Sequence, residues 1–353
     1  MWPEGLFMKT CFIYSDLVLD LEIALNLEAF YKRLGFTTCF CRDRIRDADL
    51  LVILRPVNRP LDFSGYHHNV IHIYDYEGKD INIFMRSSID YKKTYIFCMS
   101  EKQKNRITDK AGFPANQVFV VLLPVEIPLW VSKLKDIKYE LVHIGNHKPI
   151  RADEDLISQR FHEAVTSLKA DVWGAEWEGF IGGGRYHGKA GRFEAQPIYA
   201  RSRFALGLMY PFQRELTFSS RFWQAPLNGC QLLSESGLYT RTFPGIIETD
   251  YSVPDLKEKL QRVTDREALR ARARRFWEEQ NKLTLSYVKP TLESIKERDL
   301  GVRERLFFMR ISVGNLITKC FHTKFLPKWV RKILIFLRDG TKPHVTRCEV
   351  PTL

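Results

Sequence analysis

The sequence predicts an α/β protein, two Rossmann-like units facing a cleft, with a basic tail of C-terminal amphipathic helices behind them. Three observations carry this reading. Short apolar, β-branched runs without strict alternation recur through the first 285 residues, as strands buried on both faces of a parallel sheet do. Helix-spaced apolar stretches separate them. The pattern stops once, at Pro124 and Pro128, and resumes at Glu140. The expected organisation is an N-terminal domain over 1–135, a second domain over 136–285 and a tail over 286–353.

The first unit opens with a strand at Cys11–Tyr14. A helix over Leu17–Leu34 follows, with Leu21, Leu25 and Phe30 on one face and Gly35 to end it. Further strands are expected at Thr37–Cys41, Leu50–Leu54, Val70–Tyr74, Thr94–Cys98 and Val118–Leu123. The second unit starts at Glu140–Gly145. It continues through a helix (Asp155–Leu168), a strand (Asp171–Gly174), a Gly-rich loop (Gly179–Gly191) and a helix near Ile198. A strand at Phe204–Leu208, a helix from about Ser220 and a strand at Gln231–Ser234 come next. One long helix is expected to close the unit, capped by Ser252 with Pro254 in its first turn. Its apolar stripe is Leu256, Leu260, Val263, Leu269 and Phe276.

Composition removes several classes. At 45% hydrophobic and 27% charged, the 353 residues are ordinary globular usage and not a disordered chain. No apolar run reaches the roughly 20 residues that span a bilayer, and the N-terminus carries no secretory pattern. Seven cysteines without a Cys-x-x-Cys pair predict reduced, mostly buried thiols in a cytoplasmic protein, with no disulfide framework and no metal site. The net charge is +12, and residues 301–353 hold eleven Lys and Arg against three acids. The globular part is therefore near balance. That argues against a nucleic-acid-binding core and for a tail with an acidic partner.

The most informative stretch is Ser219-Ser-Arg-Phe-Trp-Gln-Ala-Pro-Leu-Asn-Gly-Cys-Gln-Leu-Leu-Ser-Glu235. Two serines and an arginine open a short helix that Gly229 closes. Such a start is either a cap on a core helix or an anion site at the carboxyl edge of a parallel sheet. Gly182–Gly191 lacks the spacing of a phosphate loop and reads as a mobile loop beside the cleft.

Arg221, Trp223, Pro226, Gly229 and Glu235 resemble the Arg-x-Phe-Glu-x-Pro-x-x-Gly-x-x-x-x-x-Glu run of GT-B glycosyltransferases related to spore-maturation CgeB proteins. Leu141–Asn146, Val172–Trp177, Ile198–Leu208 and Phe243–Glu248 are similar to further segments of that family's donor domain, in the same order, over about 139–285. The resemblance implies a GT-B fold and transfer of a sugar from a nucleotide-sugar donor; the acceptor, expected from the basic tail and not from these motifs, is a glycan or lipid-linked glycan. The resemblance also implies donor contacts at Gly145, Tyr199, Arg221, Gln224 and Glu248, to which the anion-site reading of the helix start adds Ser219 and Ser220. Gln224 departs from the pattern: the family has an acid there, which accepts hydrogen bonds from the donor's ribose, and an amide accepts without charge.

A departing nucleoside phosphate builds up negative charge, which backbone N–H groups, Arg and Lys can stabilise without a metal or other cofactor. Lys148, Arg151 and Lys189 join Arg221 as candidates for that work. The acceptor-activating base should come from the N-terminal domain. Asp16 follows the first strand, although it could equally cap the next helix, while Asp75 and Glu77 follow the Val70–Tyr74 strand. His72, inside an apolar strand, reads as a core histidine.

In the tail, Lys324, Lys328, Arg331 and Arg338 share one helical stripe, with Lys332 also basic, and Phe325, Trp329, Ile333, Phe336 and Leu337 fill the opposite side. A basic face beside a Trp/Phe/Leu face describes a helix lying on an anionic membrane surface, where each basic residue contributes about 1 kcal/mol. The expected location is therefore cytoplasmic, peripheral at the inner face of the membrane, with a role in cell-surface polysaccharide synthesis. The tail could instead pack back onto the first domain. The rival readings are a GT-B-like nucleotide- or glycan-binding protein without catalysis, for which Gln224 is the clue, and a membrane adaptor acting through the tail.

Overall fold

A computed structural model describes residues 7–14, 21–41, 50–54, 68–73, 91–147, 156–181, 185–191, 193–209, 211–216, 218–293 and 298–299. Two parallel sheets dominate it. The first is built from β1 (Phe7–Tyr14), β2 (Phe36–Cys41), β3 (Leu50–Leu54), β4 (His68–Ile73), β5 (Thr94–Cys98) and β6 (Val118–Val120). Its order is β2-β1-β3-β4-β5-β6, all parallel, in registers such as Tyr14↔Ile53 and Ile73↔Cys98. Chain direction along the sheet reverses beside β1, so the loops following β1 and β3 part there.

The helices of this unit follow local chemistry. α1 (Leu21–Arg33) buries Ile23, Ala24, Leu27, Phe30 and Tyr31 and stops where Gly35 takes φ +85°. A left-handed residue is what ends a helix there, and glycine adopts it without strain. α2 (Glu101–Ala111) opens with a reciprocal cap: Ser100 Oγ accepts from Gln103 N, and Gln103 Oε1 accepts from Met99 N at 2.7 Å. β6 is shorter than its apolar run. After Val121 donates to Cys98 O the chain leaves the sheet, and Leu123, Val125 and Trp130 of α3 (Ile127–Trp130) enter the core between the two units.

The second sheet contains β7 (Tyr139–Ile144), β8 (Asp171–Trp173), β9 (Ser202–Leu206), β10 (Gln231–Ser234) and β11 (Ile246–Glu248). It runs β11-β10-β9-β7-β8, again all parallel, with its reversal between β7 and β9. Its helices are α4 (Leu156–Ser167), α5 (Ala195–Tyr199), α6 (Pro211–Leu216), α7 (Arg221–Leu227), α8 (Val253–Leu260) and α9 (Arg266–Glu293).

Two expectations need correction here. The closing helix is two helices: the chain turns at 261–265 and Asp265 Oδ1 accepts from Ala268 N to start α9. Val263, expected on the buried stripe, sits in that break and is 94% exposed. The α9 residues that are buried are Leu269, Ala273, Trp277, Thr284 and Val288, on one face. Nor is the Gly-rich loop loose where it is described. Residues 185–188 lie along the outer edge of β8, with Val172 N donating to Arg185 O, His187 N to Val172 O and Gly174 N to Gly188 O. His187 stacks on Trp173 and pairs with Asp171 at 2.7 Å.

One apolar cluster runs through both units, from Leu27 and Phe30 on α1 through Trp130 to Trp223 and Trp277. Three asparagines fasten the connections by bonding backbone. Asn26 Oδ1 accepts from Glu126 N and Trp130 Nε1, Asn228 Oδ1 from Ser132 N, and Asn281 bonds both N and O of Val125. After α9 the chain returns to the first sheet, where β12 (Arg298–Asp299) pairs antiparallel with Phe7 and Met8 of β1. Cys98 and Cys230 are free and buried; burial pushes the Cys98 thiol up to about 12, so it stays protonated.

Candidate functional site

Ligands of open parallel sheets bind beyond the carboxyl ends of the strands, where the order reverses. In the second sheet that place lies between β7 and β9, and Arg221 occupies it. From the first position of α7 its Nε donates to Ile144 O at 2.8 Å and its Nη1 to Leu208 O at 3.3 Å, joining the ends of the two strands. His143 makes a second tie across the same gap, with Nδ1 donating to Leu206 O at 3.0 Å. Burial, and then the Arg221 charge, push His143 down to about 3, so the ring is neutral and its Nε2 is an acceptor.

The turn after β7 is held from every side. Gly145 N donates to Trp173 O, Trp177 Nε1 donates to Gly145 O at 2.8 Å, and Asn146 Oδ1 accepts from Ala175 N. A side chain at Gly145 would have to displace its neighbours: a Cβ there would sit 2.4 Å from Arg221 Nη2 and 2.8 Å from His143 Nε2. Across from it, a Cβ on Gly174 would meet Gly145 O at 1.9 Å. His147 packs flat on Phe180 at 3.8 Å and against Trp177, and its Nε2 is buried with no partner among the described residues. Burial and the neighbouring His162 hold its pKa below the ordinary histidine value.

Of the other expected donor residues, Ser219, Ser220 and Gln224 are on or next to α7 and Tyr199 is near Arg221, whereas Glu248 ends β11 at one edge of the sheet and Lys189 lies beside β8 at the other. Ser219 and Ser220 flank the start of α7, but neither hydroxyl caps it; Ser219 Oγ is buried without a partner among the described residues. Tyr199 is fully buried, close enough to Arg221 and Glu22 to feel both charges, and burial raises its hydroxyl far above the usual range. Gln224 is also buried, and its Nε2 donates to Glu22 Oε2 at 2.9 Å, reaching α1 of the first unit. Glu248 pairs with exposed Arg241 at 2.9 Å, a bond that holds its carboxyl below the usual range. Lys189 is exposed on the strip beside β8. Asp16, Asp75, Glu77, Lys148 and Arg151, and the tail residues Lys324, Lys328, Trp329, Arg331 and Lys332, lie outside the described residues.

Two groups at the site are not marked by the sequence, and the role of a third is not. His143 was hidden inside an apolar strand. Glu22 was one acid among many on a helix, and its partner stands 202 positions away. Glu235 was visible in the motif, but its role was not. Fully buried, it accepts from Met209 N (2.8 Å), Arg214 Nε (3.0 Å) and Tyr251 OH (2.7 Å), which fixes the chain leaving β9. His72, by contrast, is the core histidine expected: buried, 3.0 Å from Tyr31 OH and pushed by burial down to about 3. Among the described residues no group of three His, Cys, Asp or Glu could hold a metal ion. A small cavity of about 170 Å³ opens between Val121 and α9, against Tyr239, and none of the switch-point residues lines it.

Two parallel sheets that share the winding of their first five strands, the first extended by β6, define the class: the fold is that of the GT-B glycosyltransferases. Residues 151–286 match a protein-family profile described as Glycosyl transferase-like, which takes in Arg221, Glu235 and most of the second sheet. Among solved structures, the chain is similar to a mutant of T4 phage BGT in complex with UDP-glucose. The two are 9% identical with a TM-score of 0.54, over 82% of this chain and 100% of that one. A glycosyltransferase from Rickettsia africae is similar at 10% identity and a TM-score of 0.52, over 81% of this chain and 99% of that one. At these identities the likeness is one of fold. No curated protein matches the sequence.

Proposed function

We propose that this protein transfers a glycosyl group from a nucleotide-sugar, bound at the β7–β9 reversal, to an acceptor hydroxyl presented from the first domain. The observation that carries the reading is the placement of Arg221. The arginine of the donor-domain motif lies at the switch point of the second sheet, inside the stretch that matches the glycosyl transferase-like profile. There it holds the ends of β7 and β9 in register and adds positive charge next to the turn at Gly145. A nucleoside diphosphate leaving from that turn would gain from this fixed charge and from a backbone locked before the ligand arrives.

The similar T4 phage structure is a complex with UDP-glucose, which makes a UDP-sugar the first donor to try. Metal-independent departure is the simplest chemistry for a site whose described positive charge is that of Arg221. The acceptor is read as a glycan or lipid-linked glycan of the cell surface. That part rests on the tail, whose Lys324, Lys328, Trp329, Arg331 and Lys332 have the composition of an interfacial helix at the inner face of a membrane. No described helix is long and apolar enough to cross a membrane. Division of labour between a 1–135 acceptor domain and a 136–285 donor domain belongs to the same proposal, as does the search for the base among Asp16, Asp75 and Glu77.

The test is a thermal-shift and turnover screen of UDP-, GDP-, dTDP- and CMP-sugars. A ligand at a hundredfold excess over its Kd adds about 2.7 kcal/mol to apparent stability. One nucleotide class is expected to stabilise the wild type and to lose its sugar slowly. Stabilisation without any turnover, with or without acceptor glycans, would favour a binding protein instead.

A further inference from the structure

We propose that Glu22 is a donor-binding residue contributed across the cleft: its carboxylate accepts hydrogen bonds from hydroxyls of the nucleotide-sugar, and Gln224 positions it. The inference rests on the donor-site reading above and adds to it a residue from the opposite domain.

Three observations converge on Glu22. It stands in the first turn of α1, the helix that follows β1, and β1 borders the reversal of the first sheet. The Gln224–Glu22 hydrogen bond of 2.9 Å therefore joins the switch point of one sheet to that of the other. Gln224 is 3% exposed while Glu22 is only half-buried, so the amide is the fixed partner and the carboxylate the one a ligand can reach. Finally, Glu22 and Arg221 both lie close enough to the buried Tyr199 hydroxyl to act on it, with opposite sign, so an anion and a cation stand near the same core residue.

The chemistry of an ionised carboxylate is that of an acceptor only, with room for about four hydrogen bonds on its two oxygens. In the same neighbourhood as a guanidinium, it suits a ligand that carries both hydroxyls and phosphate. The pair also explains why position 224 is an amide. A glutamate there would set two carboxylates at hydrogen-bond distance, where both cannot be ionised. The two positions hold one carboxylate between them, and in this chain it comes from the first domain. An amide hydrogen bond onto it makes it a fixed acceptor and not a carrier of the acceptor's proton.

The experiment uses the full chain and measures dissociation constants for UDP and UDP-glucose, or for the class the wild type prefers, together with turnover. Glu22→Gln keeps an oxygen to receive the Gln224 amide, so the contact between domains survives while the charge is lost. Donor binding should weaken roughly tenfold to a hundredfold, the range for a hydrogen bond to a charged group, with the melting temperature close to wild type. Gln224→Glu alone should weaken binding as well, and the double swap Glu22→Gln with Gln224→Glu should recover part of the loss by restoring one acid and one amide.

Equal weakening for UDP and UDP-glucose would place the hydroxyls on the ribose. Weakening confined to UDP-glucose would place them on the transferred sugar. Wild-type affinity in Glu22→Gln overturns the proposal, and so does a fall in kcat with donor affinity intact, which is the signature of a base. If the wild type binds none of the four nucleotide classes, the donor-site reading itself falls and this residue's role falls with it.

Discussion

At the scale of single residues, the site is a set of groups tied to backbone, and the consequences of breaking each tie differ. Arg221→Ala removes both donors from Ile144 O and Leu208 O. It should cost about 2–4 kcal/mol of stability, by the usual worth of charged hydrogen bonds, and weaken donor binding more than tenfold. Equilibrium unfolding and donor titration check the two effects separately. The two glycines should rank in order of what blocks them. At Gly145 an added methyl meets the ends of two side chains, so Gly145→Ala should fold, with donor affinity as the main loss. At Gly174 the methyl meets backbone at 1.9 Å, so Gly174→Ala should be the less stable protein by denaturant midpoint.

Histidine gives a prediction with a sign. His143 and His72 are each held near 3 when folded, below the ordinary unfolded value of about 6.5. The unfolded chain therefore binds more protons between those limits. The stability from keeping the rings neutral is complete above about pH 6.5 and is lost as pH falls toward 3. Each buried ring should steepen the pH dependence of unfolding by up to about 1.4 kcal/mol per pH unit between pH 4 and 6. His72→Gln, which can still bond Tyr31, should flatten that slope by one proton. An unchanged slope in urea melts at pH 4, 5 and 6 would contradict it.

At the scale of elements, legibility followed burial on two faces. Leu50–Leu54, Thr94–Cys98 and Gln231–Ser234 read as strands from apolar runs and are strands with those same ends, because a central parallel strand must be apolar on both sides. The break between α8 and α9 was not legible. Leu260, Val263 and Leu269 keep a loose helical spacing straight through the turn, and only the Asp265 cap interrupts it. The consequence is testable: Val263→Asp should change stability by less than about 0.5 kcal/mol, as for an exposed site. Trp277→Ala on α9, buried against Trp223, should cost about 3–5 kcal/mol. Chemical denaturation of the two variants side by side decides it. For the site, sequence pattern identified Arg221 and Gln224 because they sit in one motif. It could not find Glu22, since nothing local marks an acid whose partner is on another domain.

At the scale of the whole molecule, the cleft is set by buried ties and not by surface charge. Asn26, Asn228 and Asn281 each bond backbone of the segment joining the sheets, and the apolar cluster passes through the junction. The exposed Lys102–Glu215 pair between α2 and α6 adds little by comparison. The donor decides what the protein is. The most direct measurement is therefore the binding of UDP-glucose and of GDP-, dTDP- and CMP-sugars to the wild type and to Arg221→Ala, each shown to be folded. The account predicts that one nucleotide class stabilises the wild type, that its sugar is slowly released or transferred, and that Arg221→Ala loses both. A folded wild type that none of the four classes stabilises would contradict it.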